Sequence, residues 1–131
     1  MTDTIDAAML LYVEDELVTQ GCVADTLREA GFAVTLASGG TEALKLLEKA
    51  AEPFRGLVTD VDLGKGPDGW EIARRARELV DAIPVVYVSG ASQHDWTSKG
   101  VPASVMIAKP CAPVQIVVAV SALLNATDGK L

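Results

Sequence analysis

Five short apolar runs, each followed by a longer stretch with helical spacing, most narrow the folds open to this chain. The runs are AMLLYV (8–13), FAVTLA (32–37), GLVTD (56–60), PVVYVS (84–89) and SVMIA (104–108). They are continuously apolar rather than alternating, which marks strands covered on both faces. After the first, EDELVTQGCVADTLREAG places Leu17, Val23, Ala24 and Leu27 at helical intervals and stops at Gly31. GGTEALKLLEKAA sets Ala43, Leu44, Leu47 and Ala50 or Ala51 on one face. DGWEIARRARELVD ends before Pro84, and PVQIVVAVSALLN carries Pro113 near its first turn. GASQHDWTSKGVP has the weakest pattern and predicts a short helix at most, while ATDGKL (126–131) is expected to fray. Five strand–helix units predict an α/β fold: a doubly wound, five-stranded parallel sheet with helices on both faces and right-handed crossovers. The 131 residues read as one domain with a core over about 8–125. Ligands of such sheets bind beyond the carboxyl ends of the strands, where strand order reverses.

Those carboxyl ends are where this sequence places its charge. Glu14, Asp15 and Glu16 follow the first strand, Asp60 and Asp62 the third, Ser89 the fourth, and Lys109-Pro110 the fifth. Each has an ordinary explanation alone. Asp15 could cap the first helix, Asp60 could form a turn with its own backbone, Ser89 could be loop chemistry, and Lys109 could be solvated. Taken together they point further. If the first and third strands are neighbours, Glu14, Asp15 and Asp60 crowd into one pocket, and carboxylates that close repel unless a cation neutralises them. Mg²⁺ suits such a site, because it needs few carboxylates and shares phosphate oxygens. With Lys109 and Ser89 beside it, the pocket is equipped to hold a phosphoryl group on one of its own carboxylates.

The remaining chemistry is sparse. A formal net charge of −7 argues against nucleic acid or an anionic membrane as the main partner. Arg74, Arg75 and Arg77 are expected to form a solvated helical face. MTDTIDAAMLLY carries acids where a signal peptide would be basic, and its apolar run is too short to span a bilayer, so a cytoplasmic protein is expected. Cys22 and Cys111 match no metal or disulfide pattern and are expected to be small buried hydrophobes.

The motifs of this chain resemble those of the receiver domain of two-component response regulators, over about 8–125. The resemblance rests on the acidic pair in LLYVEDE, the acceptor segment LVTDVDLG, DGWE at the third helix, the hydroxyl–glycine of VVYVSG, KP after the fifth strand, and ASGGTEAL at the second helix. It implies a flavodoxin-like (βα)5 fold with strand order 2-1-3-4-5. It further implies Asp60 as phosphoacceptor, and Mg²⁺ on Asp15, Asp60 and the main-chain carbonyl of Asp62, with Glu14 acting through water. Lys109 would pair with the acceptor or its phosphate, Ser89 would move to the phosphoryl oxygen, and Lys109–Pro110 would be cis. A histidine kinase or histidine phosphotransferase would supply the phosphate, and a protein target or a relay would receive the signal.

Three features depart from the family pattern. The loop VDLGKGP is one residue longer than usual, Met106 stands where an aromatic switch residue is frequent, and Cys111 replaces a frequent aromatic. Trp96 is expected to be half-buried or part of an output surface. The chain ends soon after the fifth helix, so a stand-alone receiver without enzymatic turnover is expected. One alternative is a haloacid dehalogenase-like, Mg²⁺-dependent phosphatase using DVD as its nucleophile motif. That reading is disfavoured by Gly64 and by the upstream position of the acidic pair. A flavin or nucleotide carrier is disfavoured by EDE where a phosphate loop should stand.

Overall fold

The computed structural model describes residues 7–128. Strands β1 (Met9–Val13), β2 (Ala33–Ala37), β3 (Phe54–Asp60), β4 (Val85–Ser89) and β5 (Ser104–Ala108) form one parallel sheet in the order β2-β1-β3-β4-β5. Helices α1 (Leu17–Glu29), α2 (Gly40–Lys49), α3 (Gly69–Leu79), α4 (Trp96–Lys99) and α5 (Pro113–Asp128) connect the strands and close the chain. The architecture is the doubly wound α/β fold that the apolar pattern predicts.

Period-two alternation within the strands sends side chains into two separate cores. Leu11, Val13, Leu57, Val85 and Tyr87 pack with Ala43 and Leu47 of α2 and with Trp70, Ile72, Ala73 and Ala76 of α3. Leu10, Tyr12, Val58, Val86 and Val88 pack with Val23, Ala24 and Leu27 of α1 and with Ile116, Val120 and Leu124 of α5. No helix among the described residues is long and apolar enough to cross a membrane.

Several expectations change in detail. β3 begins at Phe54 rather than 56, because the β1–β3 register shifts between Met9 and Leu10 and takes up an extra residue. The weak segment before β5 resolves into a 3₁₀ turn (Gln93–Asp95) and the single turn of α4, since it has no apolar stripe to bury. α5 continues to Asp128 and so takes in 126–128 of the tail; 129–131 and the first six residues lie outside the described residues. Leu17 is 70% exposed and Cys22 is exposed, because α1 turns Gln20, Val23, Ala24 and Leu27 inward instead. Cys111 is half-buried. Ala51, not Ala50, completes the α2 face. The arginine face is only partly solvated. Arg75 bridges Glu48 and Glu78, and Arg77 donates to the carbonyls of Ile83 and Pro102, both at 2.6 Å, and of Ala103 at 3.4 Å.

One close approach fixes the sheet edge. Gly69, the first residue of α3, lies against the backbone of Asp60 and Val61, and its amide donates to the Val61 carbonyl at 2.9 Å. A methyl there would overlap the Asp60 carbonyl oxygen and come within 2.8 Å of Val61 Cα. Backbone cannot swing aside as a long side chain can. Gly69→Ala should therefore destabilise the fold by about 1–3 kcal/mol in urea melts, as overpacking does. Gly21, in mid-helix with nothing near its absent Cβ, is the control: Gly21→Ala should stabilise by roughly 0.5–1 kcal/mol.

Candidate functional site

Strand order reverses about β1 and β3, whose register sets Val13 opposite Thr59. The next residue on each strand is therefore acidic, and Glu14 and Asp60 meet at the carboxyl edge. Both are buried, at 2% and 5% exposure. Asp15 completes the group: ligand oxygens of Glu14, Asp15 and Asp60 all lie within 4.8 Å of one another. Lys109 reaches in from the end of β5. Its Nζ lies 2.8 Å from Asp60 Oδ2 and 3.4 Å from Glu14 Oε1. The peptide between Lys109 and Pro110 is cis, as expected.

Three acids against one ammonium leave the pocket with about two uncompensated negative charges when all are ionised. Burial, and then the Asp60 charge, raise the Glu14 carboxyl above its usual range. Burial likewise drives the phenol of Tyr12 well up, reinforced by Glu14 and Asp60. For Lys109, burial works against its charge. The Asp60 hydrogen bond and the charges of Asp60 and Glu14 outweigh it, so the ammonium is held more firmly than usual. A hard divalent cation fits this donor set, which offers oxygen only and excess negative charge.

Local structure explains how each acid is presented. Glu16, not Asp15, caps α1, its side chain accepting the Thr19 amide at 2.8 Å. Asp15 is thereby left exposed at the pocket. Glu14 is braced by the Glu16 amide at 3.1 Å, and its carbonyl accepts from Gln20 Nε2 at 3.0 Å. Asp60 Oδ1 accepts the Asp62 amide at 3.2 Å. Asp68 caps α3 by accepting the Glu71 amide at 2.9 Å. The longer loop after β3 turns through Gly64 and Gly66 at positive φ and seats Pro67 against Gly40 of α2.

Ser89 is fully buried, but its hydroxyl faces Asp62 (3.1 Å) rather than Asp60. Met106 lies opposite Tyr87 on β5, partly buried against the α2/α3-side core. Trp96 is 37% exposed, with its indole N–H donating to Ser104 Oγ at 2.9 Å. Gln20 and Ser92 escaped the sequence reading. Gln20 had a signal: it is a polar residue on the otherwise apolar stripe of α1.

Beside Lys109 an open cleft of about 570 Å³ runs between α1 and α5, lined mainly by Tyr12, Val18, Val23, Val88, Pro113 and Ile116. The same two helices expose Leu17, Val18, Val114 and Val118, of which Val18 lines the cleft.

Comparison with known proteins agrees with this fold. The response regulator receiver domain pattern matches residues 10–121. The sensor histidine kinase RcsC of Salmonella typhimurium is 32% identical over 87 residues, 66% of this chain but only 9% of that protein. A crystal structure of a response regulator receiver protein from Sinorhizobium medicae is 41% identical, with a TM-score of 0.88, covering 92% of this chain and 97% of that one. The receiver domain of the sensor histidine kinase PA1611 from Pseudomonas aeruginosa, solved with a magnesium ion coordinated in its active-site cleft, is 21% identical. Its TM-score is 0.75 over 92% of this chain and 99% of that one, a likeness of fold.

The crowded acids generate a prediction. Millimolar Mg²⁺ should raise the melting temperature by roughly 3–8 °C. Asp15→Asn should raise it in metal-free buffer, by relieving repulsion, and weaken Mg²⁺ binding at least about tenfold. Calorimetric melts with and without the ion check both.

Proposed function

The chain belongs to the response regulator receiver domain family, and from that membership we propose that it accepts a phosphoryl group on Asp60 from a phosphohistidine. The observation that carries the reading is the Lys109 ammonium 2.8 Å from a buried acceptor carboxylate, with Glu14 and Asp15 alongside. A carboxylate oxygen of Asp60 forms the new bond to phosphorus as the bond to the donor imidazole nitrogen breaks. The imidazole, already carrying a proton on its other ring nitrogen, leaves as a neutral ring that keeps the electron pair of the broken bond. Lys109 offsets charge on the transferring oxygens, and burial strengthens that interaction.

Mg²⁺ would be held by the side chains of Asp15 and Asp60 and the main-chain carbonyl of Asp62, with Glu14 acting through water. Once bound, it would supply charge neutralisation for the phosphoryl oxygens. Ser89 would turn to bond the phosphoryl group, with Met106 as a flexible element of the response.

The donor would be a histidine kinase or histidine phosphotransferase. Its helical surface would find complementary apolar residues in Leu17, Val18, Val114 and Val118, on the two helices that border the cleft beside Lys109. Output would pass through a protein contact or onward relay. A cytoplasmic setting, without nucleic acid or membrane as partner, suits the net charge of −7.

We do not assign enzymatic turnover. A haloacid dehalogenase-like phosphatase would need Asp62 free as a proton donor beside Asp60, whereas Ser89 and Ser92 hold its carboxylate. With acetyl phosphate and Mg²⁺, intact-mass measurement should find one phosphoryl equivalent on the wild type and none on Asp60→Asn. Lys109→Ala should slow labelling about a hundredfold or more. One full equivalent on Asp60→Asn would overturn the assignment, and steady release of many equivalents would favour the phosphatase.

A further inference from the structure

Asp62 lies two residues beyond the proposed acceptor, yet its side chain faces elsewhere. Oδ2 accepts the hydroxyl of Ser89 at 3.1 Å, and Oδ1 accepts the hydroxyl of Ser92 at 2.9 Å. Ser89 Oγ in turn accepts the amides of Ala91 at 3.2 Å and Ser92 at 2.8 Å. A serine hydroxyl offers one proton and two lone pairs, so every bonding direction of this buried group is taken. Ser89 can donate to an oxygen on Asp60 only by leaving Asp62. The second tie, to Ser92, pins the residue just before the 3₁₀ turn that leads into α4. One exposed carboxylate therefore fixes both the end of β4 and the loop beyond it.

We propose that Asp62 is a positioning residue whose carboxylate tethers Ser89 and Ser92 in the unmodified protein and competes with a phosphoryl group on Asp60 for the Ser89 proton. This rests on the phosphoacceptor reading above. Modification of Asp60 would then do two things in one step: draw Ser89 inward, and loosen the loop before α4 by removing half of what holds Asp62. The tether sets how readily the domain changes state, separately from how readily it gains phosphate. Asp62 acts through Ser89, and its charge adds repulsion toward the incoming group that a test must separate from the tether.

The experiment uses the full chain, labelled with ¹⁵N, and beryllium fluoride with Mg²⁺ as a phosphoryl mimic. Before any mimic is added, Asp62→Ala should speed solvent exchange of the Ala91 and Ser92 amides about tenfold. It should then bind the mimic about five- to tenfold more tightly than the wild type. Asp62→Asn, which keeps an acceptor but not the charge, should fall between. In a Ser89→Ala background Asp62→Ala should bring no such gain, because the proton competed for is gone. An equal gain in that background would mean repulsion alone and would overturn the proposal. Unchanged amide exchange in Asp62→Ala would overturn the tether while leaving the phosphoacceptor reading intact. No mimic binding by the wild type, or undiminished binding by Asp60→Asn, would overturn that reading and the competition with it.

Discussion

A carboxylate at the end of a buried apolar strand is expensive to keep ionised unless something of opposite charge reaches it. In this protein Lys109 reaches Asp60 from two strands away, at 2.8 Å. The rest of the site is arranged around that contact. Glu14 shares the lysine at 3.4 Å and is too buried to ionise as freely as an ordinary glutamate. Asp15 adds a third acid at the open side. Among the described residues the pocket is therefore unbalanced in charge, with one cation for three acids. An acidic pocket with a lone fixed ammonium suits a transient visitor that brings both a divalent cation and phosphoryl oxygens.

The fold supplies the positions. Parallel strands in the order β2-β1-β3-β4-β5 deliver every strand end to one edge. The crossover helices pack on the sheet through the two cores and are further fastened at that edge by short-range devices. Gly69 lets α3 start directly on the Asp60–Val61 backbone. Glu16 takes the capping task at α1, and Gln20 ties the acidic loop from within that helix. Asp62 holds the β4 end through Ser89. Each device is a single residue, so the geometry of the edge rests on few groups.

The apolar pattern carried most of the architecture, because strands buried on both faces leave an unambiguous run of hydrophobic residues. The site was legible for the same reason: charges stand out at the end of such runs, and topology brings them together. What sequence could not resolve depends on which of several adjacent polar groups takes a local hydrogen bond. Asp15 read as the cap of the first helix, whereas the turn geometry gives that task to Glu16. Leu17 read as part of the apolar stripe because helical phase is ambiguous in the first turn, and Cys22 read as buried because a free cysteine packs as a small hydrophobe; the true buried stripe begins with a glutamine. Arg77 read as solvent-facing, yet its long stem lets the guanidinium reach the carbonyls of Ile83, Pro102 and Ala103. The early start of β3 was hidden by the register shift opposite Met9.

A crystal structure of the chain with Mg²⁺ and beryllium fluoride tests the central claim most directly. The account predicts the fluoride adduct on an Asp60 oxygen, the ion against Asp15 and Asp60, and the Lys109 ammonium on a fluoride. An adduct on any other carboxylate, or an ion bound away from these acids with Lys109 turned to solvent, would contradict it.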